Sequence, residues 1–380
     1  GVSSFLMRGI EERGIASPKN LSAVVPGLNI PDYGTAMTST IYVRGLGSRM
    51  DNPVIGLYVD DVPVLDKNCY DFSFADIRSL EFQRGPQGTL YGRNSMLGVL
   101  SVETLSPSVY QGAKASIEYG SAATVSAKAS IYKGKLGLVA AYSHSDGFYV
   151  NEYDNSRCGL SDATSLRAVY AGKAGRATFD NILTLSYTDQ TGYPYRLWLP
   201  DERRLLPIDY NDKSGYQRLS VMDGLRLKAD LLGWKLSSVT SVQMLFDSMN
   251  MDQDFTPKSI FTLNQTQKQF AATQEIILRP SVRPDWWDSQ TGVFLMAKFN
   301  RMSAPVDFLE GGIKSMILDN ANSGIPADFG RLDILEDRFR ISSDFDIMTG
   351  NLAAYHESVF SLGRWRLTAG LRLDYDGGRM

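Results

Sequence analysis

The residues of this chain with the most chemistry to offer are charged and set in turns. Arg84 and Arg93 lie in FQRGPQGTLYGRN, residues 82–94, where Gly85, Pro86, Gly88 and Gly92 hold them in fixed directions between two apolar alternating runs. Asp60 and Asp61 form an adjacent carboxylate pair able to bind a cation, but on a strand they point to opposite faces, which favours a turn role. His144 and His356 are the only histidines. His144, beside a long polar stretch, has the donor type for haem iron, yet a lone histidine is far more often an ordinary polar side chain. No HExxH, GxSxG or P-loop pattern is present, and the first hundred residues hold no nucleophile, base and orienter grouping. The expectation is a protein that is not an enzyme and uses no cofactor or metal. Cys69 and Cys158 lack CxxC spacing, which argues against a zinc site; one disulfide between them is open in an oxidising compartment, with two separate thiols the favoured reading.

The elements that position these residues follow from composition and periodicity. Of 380 residues 43% are hydrophobic, and no run approaches the roughly 18 apolar residues of a membrane-spanning helix. That excludes a helical membrane protein but not a transmembrane barrel, whose alternating faces dilute its apolar content. The 19 Tyr, 17 Phe and 34 Gly suit strands and tight turns, and a net charge of −3 gives no argument for nucleic acid. Ser17 before Pro18 predicts a helix start, with KNLSAVV stopping at Pro26 and Gly27. Strands are expected at 40–45 (TIYVRG), 54–64 (VIGLYVDDVPV), 79–85 (SLEFQRG) and 98–104 (GVLSVET), with one helical turn at FADIRS.

In that order NLSAVVPGLNI, IYVRGLGS, GLYVDDVPV and DIRSLEFQRGPQGTLYGRNSMLGVLSVET resemble the plug domain of TonB-dependent outer-membrane receptors. Asp61 stands where the family usually has Gly, and Leu97 where a Gly pair is usual. Asp tolerates a left-handed turn, so the first departure is mild. The resemblance implies a latch: Arg44 in VRG and Arg84 in QRGP match plug arginines that pair with barrel glutamates, with Glu275 a candidate partner in this chain. The alternative is that each arginine satisfies carbonyls of its own glycine-rich turn; for Arg93 and Tyr91, plug packing is favoured. The resemblance also makes Arg49, Met50, Asp51 and Asn52, and Lys67, Asn68 and Tyr70, candidates for substrate contact at the plug apex, against a reading as solvated turns.

From Ala113 onward the pattern becomes long alternating runs. In WRLTAGLRLDYD, Trp365 and Tyr375 bracket an apolar stripe as an aromatic girdle would. Short connections near 133–135, 171–175, 231–234, 279–286 and 362–365 alternate with long polar stretches near 144–163, 189–216, 248–265 and 302–349. Outer-membrane barrels have that asymmetry, with short periplasmic turns and long outer loops; a soluble sandwich has no reason for it. The short turn near 120–123 is the exception. Tyr193, Tyr195, Trp198 and Phe255 in the long loops either form a binding rim or, more commonly, pack the loop.

The fold class expected is mixed: a small α+β plug, residues 1–112, followed at 113–380 by an antiparallel transmembrane β-barrel of about eleven strands, half of the family's roughly twenty-two. An odd count ending on a strand predicts an unclosed barrel. No signal peptide opens the chain, and the family's energy-coupling box is expected before Gly1. The resemblance implies a receptor in the outer membrane of a Gram-negative bacterium, in contact with outer-membrane lipid and a periplasmic TonB-type energy-coupling protein, with a surface lipoprotein as a further partner. Its cargo would be a scarce nutrient. TLYGRNSMLGVLSVET is closer to the iron-siderophore type, which favours a ferric chelate over cobalamin or a glycan. The competing class is a soluble all-β adhesin or carbohydrate-binding protein.

Overall fold

The computed structural model describes residues 2–37, 40–48, 53–91, 95–326 and 328–380. The first hundred residues form a small unit around five strands: β1 (Val2–Leu6), β2 (Ile55–Val59), β3 (Val62–Pro63), β4 (Ile77–Arg84) and β5 (Gly98–Thr104). Their order is β1-β4-β5-β2-β3, with β2 parallel to β5 and the other pairs antiparallel. All five residues of β2 are buried, which is why IGLYV is an unbroken apolar run. The core gathers Ile10, Leu21, Val25, Ile55, Leu57, Leu80, Phe82 and Leu100.

Ser17 and Pro18 open a 3₁₀ helix, Pro18–Ala23, where Asn20 Oδ1 accepts from the amides of Ala16 and Ser17, each at 3.0 Å. Between β2 and β3, Asp60 (φ 52°) and Asp61 (φ 66°) are both left-handed, the signature of a two-residue type I′ hairpin. The carboxylate pair is thus a turn, and Asp61 takes up the conformation for which the family pattern has Gly.

Three expectations change. FADIRS is not helical: Asp76 has φ 50°, β4 begins at Ile77, and the carbonyls of Ala75 and Asp76 are bound by a distant arginine instead of by a helix. The run at 40–45 is not one strand but half of a tight hairpin, Tyr42–Val43 with Leu46–Gly47. FQRGPQGTLYGRN is more than strand and turns, because Gly88–Tyr91 winds into a helical turn; Arg93 lies outside the described residues. A helix α1 (Met7–Glu12) and β1 were not anticipated.

The rest of the chain is one long meander: β6 (Gly112–Tyr119), β7 (Val125–Lys133), β8 (Leu136–Ser145), β9 (Leu160–Ala174), β10 (Ala177–Thr191), β11 (Gly215–Leu231), β12 (Trp234–Asp252), β13 (Phe261–Pro280) and β14 (Trp287–Ser303). Short strands β15 (Val306–Leu309) and β16 (Arg338–Ile341) extend β13 within the longest loop. Then come β17 (Asp344–Leu362) and β18 (Trp365–Arg379). Leaving β15 and β16 aside, each of the eleven long strands pairs antiparallel with its neighbours in sequence, β6 and β18 being the two ends of the path. The turns at 134–135, 175–176, 232–233, 281–286 and 363–364 are short, and the loops at 146–159, 192–214, 253–260 and 304–343 are long.

The faces of this sheet are inverted relative to a soluble protein. On β12, Val242, Met244 and Phe246 are exposed while Ser241, Gln243 and Asp247 are buried. The same holds on β11 and β13, where Leu219 and Phe270 face out and Arg218, Gln267 and Gln269 face in. An exposed apolar face along one long sheet, with polar side chains buried on the other face, has no counterpart in a water-soluble sandwich, which hides its apolar face. It is what a wall facing lipid outside and a polar lumen inside requires. Tyr170, Trp234, Trp286 and Trp365 are exposed near the short-turn end, as an aromatic girdle.

Candidate functional site

The small unit sits on the polar face of the sheet, and the seam between them is where buried charge concentrates. Three cross-strand rows of the wall grip one segment of the small unit, residues 60–76. Nearest the long loops, Thr188, Arg218, Asp247 and Gln267 lie level on β10 to β13. Arg218 is 4% exposed and donates to the carbonyls of Asn68 and of Asp71 (2.8 Å). Asp247 accepts from Asn68 Nδ2 at 2.9 Å, and Gln267 donates to Asp66 Oδ2 at 2.9 Å.

Four residues further down the strands, Arg167, Thr184, Met222 and Gln243 form the second row. Arg167 donates to the Ala75 carbonyl at 2.9 Å, and Gln243 Nε2 to the Pro63 carbonyl at 2.7 Å. Another four residues down, Arg226 reaches Asp60 (3.8 Å) and Asp61 (3.5 Å) of the hairpin and Asp180 of β10 (3.3 Å). Asp60 is 2% exposed and also accepts from the Thr104 amide and hydroxyl at 2.9 and 2.8 Å. Burial pushes its pKa up, with Arg226 and the Thr104 hydrogen bonds opposing that shift. The approach is close: a Cβ on Gly224 would lie 2.6 Å from Val62 Cγ2, so glycine lets β11 touch the hairpin.

At the long-loop end a cavity of about 920 Å³ opens between the small unit and the wall. Lys19, Tyr33, Phe72, Tyr149, Tyr195 and Arg196 line it. Burial works to lower the Lys19 pKa, but Asp71 at 3.0 Å and Asp32 at 3.5 Å raise it overall, so the ammonium stays charged. Cys69 faces a smaller cavity of about 90 Å³ at the seam, where burial pushes its thiol up to about 12. Cys69 and Cys158 are separate thiols. Tyr193 is fully buried and Phe255 stacks edge-on against Tyr195 and Tyr210, so those aromatics pack the loops, while Tyr195 reaches the cavity. Trp198 is exposed on the small hairpin it forms with Leu205.

The sequence-expected residues fall elsewhere. Glu275 accepts a hydrogen bond from Tyr355 OH (2.8 Å), its hydrogen-bond partner among the described residues. Arg44 is exposed at φ 52° in its hairpin, and Arg84 Nη1 donates to the Pro26 carbonyl at 3.4 Å. Of the apex candidates, Arg49, Met50, Asp51 and Asn52 lie outside the described residues. Tyr70 is 2% exposed with its hydroxyl on the Ile55 carbonyl, so it packs the core; Asn68, equally buried, is tied to the wall; Lys67 is half-buried. Sequence reasoning missed Arg167, Arg218 and Arg226. The available signal was three arginines at inward positions of otherwise amphipathic strands.

A folded unit seated by polar contacts against the lumen side of a lipid-facing strand wall defines a plugged outer-membrane barrel. The comparisons agree. Residues 2–99 match the family model described as the TonB-dependent Receptor Plug Domain. The pesticin receptor of Yersinia pestis is 41% identical over 100 residues, 26% of this chain and 15% of that receptor. The vitamin B12 transporter BtuB of Vibrio vulnificus is 23% identical over 197 residues, 46% of this chain and 31% of that protein. Among solved structures, the ferric yersiniabactin uptake receptor FyuA from Yersinia pestis superposes over 100% of this chain and 57% of its own, with a TM-score of 0.79 at 21% identity. Residues 2–99 thus carry a TonB-dependent receptor plug domain, and the chain as a whole has the fold of the TonB-dependent receptors, a family of transport receptors of the Gram-negative outer membrane. It spans little more than half the length of that solved relative and a far smaller share of the curated ones it matches.

Proposed function

We propose that the full-length protein binds a ferric siderophore in the vestibule at its long-loop end and imports it when a periplasmic TonB-type protein pulls the plug from its seat. The observation that carries this reading is the likeness, across the whole chain, to a ferric yersiniabactin uptake receptor, supported by the plug's identity to the pesticin receptor. The vestibule suits a chelate that is part aromatic and part anionic, since Lys19 and Arg196 stand among Tyr33, Phe72, Tyr149 and Tyr195. The seam suits repeated release. Its contacts are hydrogen bonds and ion pairs that water replaces as the plug leaves, so each breaks at modest cost and re-forms on return.

The test is equilibrium binding of full-length, detergent-solubilised receptor to ferric siderophores, cobalamin and oligosaccharides. Saturable binding of a ferric siderophore alone supports the proposal. The BtuB likeness makes cobalamin the specific competitor, and binding of cobalamin or a glycan instead would overturn the cargo. Recovery of the protein from the aqueous fraction without detergent would overturn the receptor reading itself.

A further inference from the structure

Arg218, Arg167 and Arg226 stand on one stretch of wall at regular intervals. Arg167 pairs through Thr184 with Met222, which puts it level with the midpoint between Arg218 and Arg226 on β11. The steps are four residues each, about 13 Å at the rise of an extended strand. The series begins where Arg218 lines the vestibule and ends at the hairpin clamp, in the half of the strand toward the short turns. All three guanidiniums are held by oxygen acceptors of the plug: the Asn68 and Asp71 carbonyls, the Ala75 and Asp76 carbonyls, and the Asp60 and Asp61 carboxylates. Arg167 and Arg226 each keep a buried Nε–H with no partner among the described residues.

We propose that these three arginines form a ladder for an anionic, carboxylate-bearing cargo once residues 60–76 have withdrawn from the wall, an inference that rests on the receptor reading above. Guanidinium cannot give up its proton, so withdrawal of the plug leaves three fixed cations whose plug-facing donors are vacated, Arg226 keeping its contact to Asp180 and Arg218 its contact to Thr188. A carboxylate offers the same oxygens the plug removes and accepts from the fork in the same geometry, so cargo exchanges for plug at each rung. The rungs are unequal. Asp247 is level with Arg218 and Asp180 with Arg226, which partly balances both ends of the ladder. Around Arg167 the wall presents Ser165, Thr184 and Ser186, none of them acidic, so the middle rung carries the largest unbalanced charge.

The ladder is tested on the full-length receptor in a planar lipid bilayer, with urea driving the plug out of its seat and a KCl gradient reporting chloride against potassium permeability. Salt is kept near 10 mM, where the screening length is about 30 Å and one fixed charge is felt across the lumen. Arg167→Gln should lower the chloride-to-potassium permeability ratio at least about threefold relative to wild type, and the difference should vanish near 1 M salt, where screening falls to about 3 Å. Arg167→Lys keeps the charge and should keep the wild-type ratio, which separates charge from any change in plug seating. Equal ratios for wild type and Arg167→Gln at low salt would overturn the ladder while leaving the receptor reading intact. Failure of any channel to open would overturn both.

Discussion

Arg226→Ala is the sharpest test of how the plug is held. The guanidinium faces three carboxylates, but they do not count equally. Asp61 is 56% exposed at its side chain and Asp180 28%, so water screens both and each pair is worth at most about 1 kcal/mol. Asp60 is buried, and removing its counter-charge leaves an anion in a low-dielectric pocket, a loss that runs to about 3–5 kcal/mol when nothing else compensates. Two hydrogen bonds from Thr104 do compensate in part, and the Arg226 contact at 3.8 Å is long. The expected loss of plug seating is therefore about 2–3 kcal/mol. Urea titration of the full-length receptor, with tryptophan-free plug residues carrying a fluorescent label, would read it as an earlier plug transition at unchanged barrel unfolding. A double-mutant cycle with Asp60→Asn isolates the pair, and Asp60→Asn on the Arg226→Ala background should cost much less than on wild type. A single-mutant shift under about 0.5 kcal/mol, or additive effects in the cycle, would refute the clamp.

Other expectations are independent of that pair. The Asp60 pKa is raised in the seated plug, so the seated state binds more protons than the released one as pH rises from the ordinary carboxylate value to the raised one. Seating should therefore be strongest in acid and weaken through that window, and Asp60→Asn should flatten the profile in plug-unfolding titrations from pH 4 to 7. The half-buried Cys69 thiol, pushed up to about 12, should react with maleimide at pH 8 more slowly while the plug is seated than once urea releases it; equal rates in the two states would contradict its seat at the seam. Gly224→Val would drive a methyl into Val62, an overpacking worth about 1–3 kcal/mol of plug seating by the same urea titration. Val242→Arg, on the exposed face of β12, should cost about 2–4 kcal/mol of barrel stability in lipid vesicles, whereas a water-soluble protein would tolerate it.

Local signals carried much of the architecture. Period-two alternation marked the long strands, and chain connectivity alone set the order of short turns and long loops, because a hairpin turn needs only its own few residues. The turn role of Asp60 and Asp61 was legible for the same reason, Asp accepting φ above zero without help from elsewhere, but the single strand expected at 54–64 breaks there into a hairpin of Ile55–Val59 with Val62–Pro63. Where local and distant demands competed, the distant one won. FADIRS was read as a helical turn, but Arg167 binds its carbonyls from across the seam, and no local window contains that arginine.

Alternation alone says that two faces differ, not which one meets lipid. The tertiary structure decided that by seating the plug on the face bearing Arg218, Gln243 and Asp247 and leaving Val242, Met244 and Phe246 outside. It also brought out contacts of the opposite polarity to the expected latch. The motifs pointed to plug arginines reaching for a wall glutamate, yet the described seam has wall arginines reaching for plug carboxylates and carbonyls. Asn68 and Asp247 are 179 residues apart, and such partners are chosen by which inward positions the strand register brings level with the plug. Sequence by itself determined that this is a plug followed by barrel strands; only the packed structure determined which charges hold the one against the other.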